Sequence, residues 1–167
     1  LLPRRSALSH KGDFGRLAIV AGSSGFTGAP VLCAQAAQAM GAGLLSIVTR
    51  PDAYDAVAAQ APPEAMVSAW SDQGDVPEVV RKATAIVIGP GLGVDEMTLK
   101  MLRAVFAIGC PGVIDADGLT ALAKHLDLLQ EAKGPVVLTP HPGEMTRLVG
   151  RKFGSDERES AAQAFTA

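Results

Sequence analysis

The sequence has 167 residues, 15 Lys and Arg against 17 Asp and Glu, 48% hydrophobic residues and 4% aromatic ones. That length bounds the chain to one domain, or one large piece of a domain, with ample material for a core. A formal net charge of −2 gives no electrostatic case for nucleic acid or an anionic membrane surface, and 19% charged residues is too few for a disordered or coiled-coil chain.

No stretch approaches the roughly 18–20 uninterrupted apolar residues that span a bilayer, and the opening LLPRRSALSHKGDFG lacks the apolar core of a signal peptide. Leu1-Leu2-Pro3-Arg4-Arg5 reads as the interior of a polypeptide, so residues 1–8 are expected to be a linker or entry segment behind a preceding domain. Cys33 and Cys110 lie far apart and form no CxxC or Cys/His cluster. They read as buried thiols of a reduced, cytoplasmic protein, with a single disulfide as the alternative.

In chain order, short apolar runs alternate with Ala-rich stretches of helical length. The predicted strands are Leu17–Ala21, Leu44–Thr49, Ala85–Ile88, Val113–Asp115 and Val136–Thr139, with Ala65–Ala69 a weaker sixth. Each is apolar on both faces and rich in Val and Ile, which suits a parallel sheet covered on both sides. The predicted helices are Ala29–Met40, Ala53–Ala59, Pro77–Lys82, Glu96–Ile108, Gly118–Lys124 and Glu144–Val149. A last amphipathic helix over 155–167 would place Ala161, Ala162, Ala164 and Phe165 on its apolar positions. Strand–helix alternation predicts an α/β sandwich with right-handed crossovers.

The 18 Gly and 11 Pro are clustered where four of these strands end. In such a sheet the ligand site sits at the carboxyl ends of the strands. The first strand runs into GSSGFTGAP, where Pro30 suits the first helical turn and Thr27 or Gly28 would cap it. Its free amides can hold an anion or a polar ligand edge; a tight turn needing positive φ explains the glycines equally well. Ala42–Gly43 reads as a plain helix C-cap. The 85–88 strand runs into GPGLG, whose Gly89, Gly91 and Gly93 expose backbone amides to a ligand, and Asp95 and Glu96 favour the positive end of the next helix.

In DADGL, Asp115 and Asp117 end a strand two residues apart. Asp117 is expected to cap the helix at Gly118. Asp115 either binds Mg²⁺ or hydrogen-bonds a hydroxyl in the cleft, or fixes a neighbouring loop. In TPHPGEM, two X-Pro bonds hold the loop extended and present His141 at the sheet edge for ligand contact, with Glu144 opening the next helix. His125 reads as a surface helix residue. No zinc-ligand spacing and no Ser-His-Asp or Cys-His set can be read from these motifs.

Taken in order, HKGDFG, AGSSGFTGAP, AQAMGAGL, GPGLG, DADGL and TPHPGEM resemble the ADP-dependent NAD(P)H-hydrate dehydratases, over roughly Ser9 to Val149. The resemblance implies a ribokinase-like three-layer α/β/α sandwich with a mostly parallel sheet, formed here by residues 9–167. It implies a lyase that repairs NADH or NADPH hydrated at C6 of the nicotinamide ring. Such enzymes phosphorylate that hydroxyl from ADP (ATP in eukaryotic relatives) with Mg²⁺ and then eliminate phosphate. Ala29, Gly91 and His141 match positions that contact the hydrated dinucleotide, and Asp115 would lie at the same edge. Glu144 matches an acidic residue that organises metal and phosphates in related kinases. An epimerase domain is often fused upstream, and relatives are often homo-oligomers.

Family members continue through a Lys-Gly strand to a GxGD motif that holds the nucleotide phosphates and supplies the catalytic Asp. Nothing after Val149 resembles it. The chain is therefore expected to be a fold truncated at its C-terminus, carrying mainly the substrate half of the site and inactive alone. Two alternatives are a non-catalytic dinucleotide-binding module and a ribokinase-like kinase for a small vitamin-type alcohol.

Overall fold

In the computed structural model, which describes residues 6–166, six apolar runs form one sheet. They are β1 (Arg16–Val20), β2 (Leu44–Thr49), β3 (Ala65–Ala69), β4 (Ala85–Ile88), β5 (Gly112–Ile114) and β6 (Val136–Leu138), in the order β3-β2-β1-β4-β5-β6. Every pairing is parallel. Order and register together position the site. Val20 pairs with Ile88, Ile88 with Ile114, and Ile114 with Leu138, so β1, β4, β5 and β6 end on one rung. The chain turns outward in opposite directions from β1 and β4, which makes the gap between their ends the topological switch point.

The strands are apolar throughout because side chains alternate between two covered faces. Ile19, Ala21 and Ile47 pack with Ala34 of α1 (Gly28–Ala39) and Val57 of α2 (Tyr54–Gln60). On the other face, Val20, Val48, Ile86, Ile88 and Ile114 meet four helices: α4 (Glu96–Ile108), α5 (Asp117–Leu122), α6 (Pro142–Val149) and α7 (Arg158–Thr166). Each fully buried Ile or Leu there contributes about 1.5–3 kcal/mol. The result is the three-layer sandwich of the sequence reading, with β3, the weakest of the predicted strands, present as an edge.

Several local expectations change. The Pro77–Lys82 helix shrinks to a single turn, α3 (Glu78–Arg81), and α2 is preceded by a 3-10 turn over Pro51–Ala53. The C-cap of α1 is Met40 followed by Gly41 at φ +89°, not Ala42–Gly43. Gly43 serves a different need, since its Cα faces the Lys11 carbonyl so closely that no Cβ fits. HKGDFG and AQAMGAGL thus pack on one another at the amino edge of the sheet, opposite the other motifs. In α7, Ala161 is buried and Phe165 half-buried, while Ala162 and Ala164 are exposed. Cys33 and Cys110 are free and half-buried, and burial raises both thiol pKa values. Of the linker segment 1–8, residues 1–5 lie outside the described residues. Leu8 is exposed. Among the described residues no helix is long and apolar enough to cross a membrane.

The end of β4 rests directly on the start of α5. Gly89, at φ +126°, meets the Asp115 carbonyl and the Gly118 amide where a Cβ would stand. Gly89→Ala therefore combines backbone strain with collision against main chain. A loss of several kcal/mol in urea unfolding is expected, against less than about 1 kcal/mol for Gly28→Ala, whose Cβ position is open. Comparable losses for the two would show that β4 and α5 can separate freely.

Candidate active site

At the switch point the two glycine loops lean on each other. Gly22 N–H donates to Pro90 O at 2.9 Å, and Ser23 Oγ donates to Gly91 O at 2.8 Å. Gly91 has φ +65°, and a Cβ there would lie 2.8 Å from Phe26 Cβ and 3.3 Å from Ala29 Cβ. Two of the residues expected to touch substrate, Ala29 and Gly91, are thus neighbours. No side chain caps α1: the Thr27 hydroxyl lies 3.5 Å from Gln60 Nε2, so the capping bond expected of Thr27 is absent. The first-turn amides of α1 point out at the partial positive end of a twelve-residue helix.

Between the two carboxylates of DADGL, Ala116 has φ +50° and ψ −118°, a strained conformation for a residue with a Cβ. That kink sends the two carboxylates to different places. Asp115 Oδ1 accepts from Ala116 N–H at 2.9 Å, and its charge acts on the Cys33 thiol of α1, a lesser contribution than burial to the raised thiol pKa. Asp115 directly follows β5, on the rung where the four strands end. Asp117 is not the cap of α5, which begins with it; its Oδ2 accepts from Gly93 N–H at 2.8 Å. The loop-fixing role that stood open for Asp115 belongs to Asp117.

His141 ends the β6 loop and caps α6. Its Nδ1 accepts from Gly143 N–H at 3.0 Å and Glu144 N–H at 3.4 Å, while Glu144 Oε2 accepts from His141 N–H at 2.9 Å. This capping box starts α6 at Pro142, earlier than the expected Glu144, because a proline fits the first helical position as well as an extended loop. With Nδ1 accepting, the hydrogen-bond pattern assigns the ring proton to Nε2, which lies 3.3 Å from Glu144 Oε1. The imidazole is 62% exposed and the Glu144 side chain 9%. The strands that lead to Gly91 and His141, β4 and β6, are two strand spacings apart, roughly 10 Å, with β5 between.

Two residues with no part in the sequence reading join the edge. Phe26 exposes 59% of its surface beside Gly91; an aromatic within a glycine loop was the available signal. Arg50, just after β2, makes a fork to Asp95, with Nη1 at 2.8 Å from Oδ2 and Nη2 at 2.5 Å from Oδ1. Asp95 also caps α4 by accepting from Thr98 N–H at 3.1 Å. The Arg50 hydrogen bonds, above all, hold the Asp95 carboxyl down to about 2. A groove of about 540 Å³ runs beside edge strand β6, lined by apolar residues including Val136, Met145 and Phe165. It adjoins none of the glycine loops. No group of three or more His, Cys, Asp and Glu able to hold a metal occurs among the described residues.

The sequence profile described as NAD(P)H-hydrate dehydratase matches residues 17–167. The chain belongs to that family. It is 36% identical over 159 residues to the bifunctional NAD(P)H-hydrate repair enzyme of Coxiella burnetii, covering 95% of this chain and 32% of that one. It is 35% identical to the ATP-dependent (S)-NAD(P)H-hydrate dehydratase of Pediculus humanus subsp. corporis, covering 98% and 56%. Among solved structures, the ADP/ATP-dependent NAD(P)H-hydrate dehydratase of Bacillus subtilis, co-crystallised with ATP and Mg²⁺, superposes with a TM-score of 0.78. The identity is 33%, over 98% of this chain and 57% of that one. The chain thus spans about a third of the bifunctional relative and just over half of the other two. Its sandwich is the ribokinase-like fold of this dehydratase family.

Two predictions test the geometry of the edge. Asp95 titrates lower in the folded than in the unfolded chain, where a carboxyl of about 3.9 is ordinary. Its contribution to stability is complete above pH ~4 and lost as pH falls towards about 2. In urea melts, Asp95→Asn should be less stable than the parent at pH 6, with the gap closing across that acid window; a gap constant with pH would deny the ion pair this role. Ala116→Gly should leave stability unchanged or raise it by up to ~1 kcal/mol, whereas Ala121→Gly within α5 should lower it by at least ~1 kcal/mol. Equal losses would mean that Ala116 is unstrained.

Proposed function

We propose that this chain forms the substrate half of an NAD(P)H-hydrate dehydratase site, binding NADH or NADPH hydrated at C6 of the nicotinamide ring. The observation that carries the reading is the contact of Ala29 with Gly91 at the β1/β4 switch point, where backbone rather than side chain meets the ligand. Four ordered loops on one rung supply a continuous edge for an elongated dinucleotide. Ala29 and Gly91 bring main chain close to it, His141 offers Nε2–H, and Asp115 accepts from a substrate hydroxyl. Glu144 keeps the imidazole aimed.

The reaction converts a poor leaving group into a good one. In the complete enzyme, ADP (or ATP) transfers its terminal phosphoryl group to the C6 hydroxyl, which gives up its proton, and AMP (or ADP) leaves. The C6–O bond then breaks with phosphate leaving, the ring gives up a proton, and the dihydronicotinamide is restored. Bound Mg²⁺ would neutralise phosphate charge, for which one or two carboxylates suffice. Asp115 suits this by its free oxygen. Glu144 suits it less, because both its oxygens face His141. Residues 9–167 form the ribokinase-like part and 1–8 a linker, and the bifunctional relatives support a fused epimerase upstream.

Hydrated NADH should bind the chain in calorimetry with an affinity well above that of adenosine or a small alcohol. The full-length protein, given ADP and Mg²⁺, should restore the near-ultraviolet absorbance of reduced nicotinamide. A stable phosphorylated product would instead indicate a small-alcohol kinase, and binding without any turnover by the full-length protein would indicate a binding module. Within the site, His141→Ala should weaken hydrated NADH at least about tenfold, roughly 1.4 kcal/mol, and His125→Ala hardly at all. His141→Asn restores the helix cap but not the Nε2 donor, so its affinity should stay low. Equal effects at His141 and His125 would remove His141 from the site.

A further inference from the structure

Gly93, the last residue of GPGLG, is gripped from both sides by side chains of different elements. Its N–H donates to Asp117 Oδ2 of α5 at 2.8 Å, and its carbonyl accepts from Thr98 Oγ1 of α4 at 2.8 Å. Thr98 is fully buried and has one hydroxyl proton to give. The short bond to Gly93 O takes it, since Asp95 Oδ1 lies farther off at 3.4 Å. Thr98 Oγ1 in turn accepts from Arg50 Nη2 at 2.9 Å. Arg50 thus donates to Thr98 and Thr98 to the Gly93 carbonyl, while the Gly93 N–H, on the preceding peptide unit, is held separately by Asp117. The fork from Arg50 to Asp95 fixes the guanidinium at the head of this chain. Chains of this kind polarise and strengthen one another, more so away from water.

We infer that Asp117 and Thr98, with Arg50 behind Thr98, are positioning residues that clamp the GPGLG loop and hold the Gly91 backbone ready for the dinucleotide. In GPGLG the buried Leu92 side chain anchors the middle of the loop, while Gly93 at its end has no side chain to define its path. Left free, it would have to be ordered at the moment of binding, and that cost would appear as lost affinity. The clamp removes it beforehand. It joins the segment after β2 to the segment after β5 across the switch point, so the loop is fixed relative to both halves of the sheet. The inference rests on the proposed contact between Gly91 and the hydrated dinucleotide.

The test compares the parent chain with Asp117→Ala and Thr98→Val, which delete the two grips, and with Asp117→Asn and Thr98→Ser, which keep an acceptor and a hydroxyl. Leu128→Ala, a buried position outside the loops, serves as a destabilised control. Two quantities are read: the Kd for hydrated NADH, and the hydrogen-exchange rate of the Gly93 amide. The deletions should raise Kd about tenfold and speed Gly93 exchange about tenfold, with the conservative pair returning both to within about threefold. Leu128→Ala should lower Tm and leave Kd in place. Unchanged Kd and exchange in the deletions, or the same Kd loss in Leu128→Ala, would overturn the clamp. Failure of the parent chain to bind hydrated NADH would overturn the functional reading instead, and Gly93 exchange would still decide whether the clamp exists.

Discussion

The site depends on one constraint: parallel pairing in a register that ends β1, β4, β5 and β6 on the same rung. Residues far apart in sequence then leave the sheet at one level, and the peptide hydrogen bonds carry the alignment one step further. Gly89 N–H donates to Val20 O, Asp115 N–H to Ile88 O, and Thr139 N–H to Ile114 O. A slip of one residue in any pairing would turn that strand's core side chains to the other face. Because Ile19 and Val20 belong to separate cores on the two faces, the register is held by burial on both sides. The loops inherit their alignment from the core.

That alignment explains why the loops are made of glycine. With strand ends flush, the segments that leave them are crowded, and Gly89 stands where the Asp115 carbonyl and the Gly118 amide allow no Cβ. A Cβ on Gly91 would crowd Phe26 at 2.8 Å and Ala29 at 3.3 Å. The absence of side chains lets β4, β5 and α1 come together, and Gly89 and Gly91 are themselves buried in the contact. The Arg50–Asp95 pair and the Asp117 carboxylate then confer on those loops the rigidity that glycine cannot.

The fold was legible in the sequence because it is written in short-range patterns. Two-sided apolar runs such as Leu44–Thr49 announce buried parallel strands, and Gly and Pro at their ends mark the turns. The four clustered motifs also converge, as read, on one edge of the sheet. What escaped was every feature decided by a distant partner. Asp117 looks like a helix cap until Gly93 is seen above it, and Ala116 gives no local sign of its positive φ. Pro142 serves an extended loop and a helix start equally well in one dimension. Phe26 and Arg50 acquire meaning only from what the fold sets beside them.

The distribution of hydrogen bonds at this edge separates holding from acting. The Thr49, Thr98, Asp95, Asp117, Ser23 and Glu144 side chains all bond within the protein, most of them to the backbone of the glycine loops or of α6. Among the described residues, what stands exposed at this edge includes Phe26 and the His141 imidazole, with one oxygen of Asp115 beside them. A set of this kind recognises shape and a few polar edges, and it carries little charge to stabilise a transferring phosphoryl group. Under the proposed function, these loops therefore contribute recognition more than charge stabilisation.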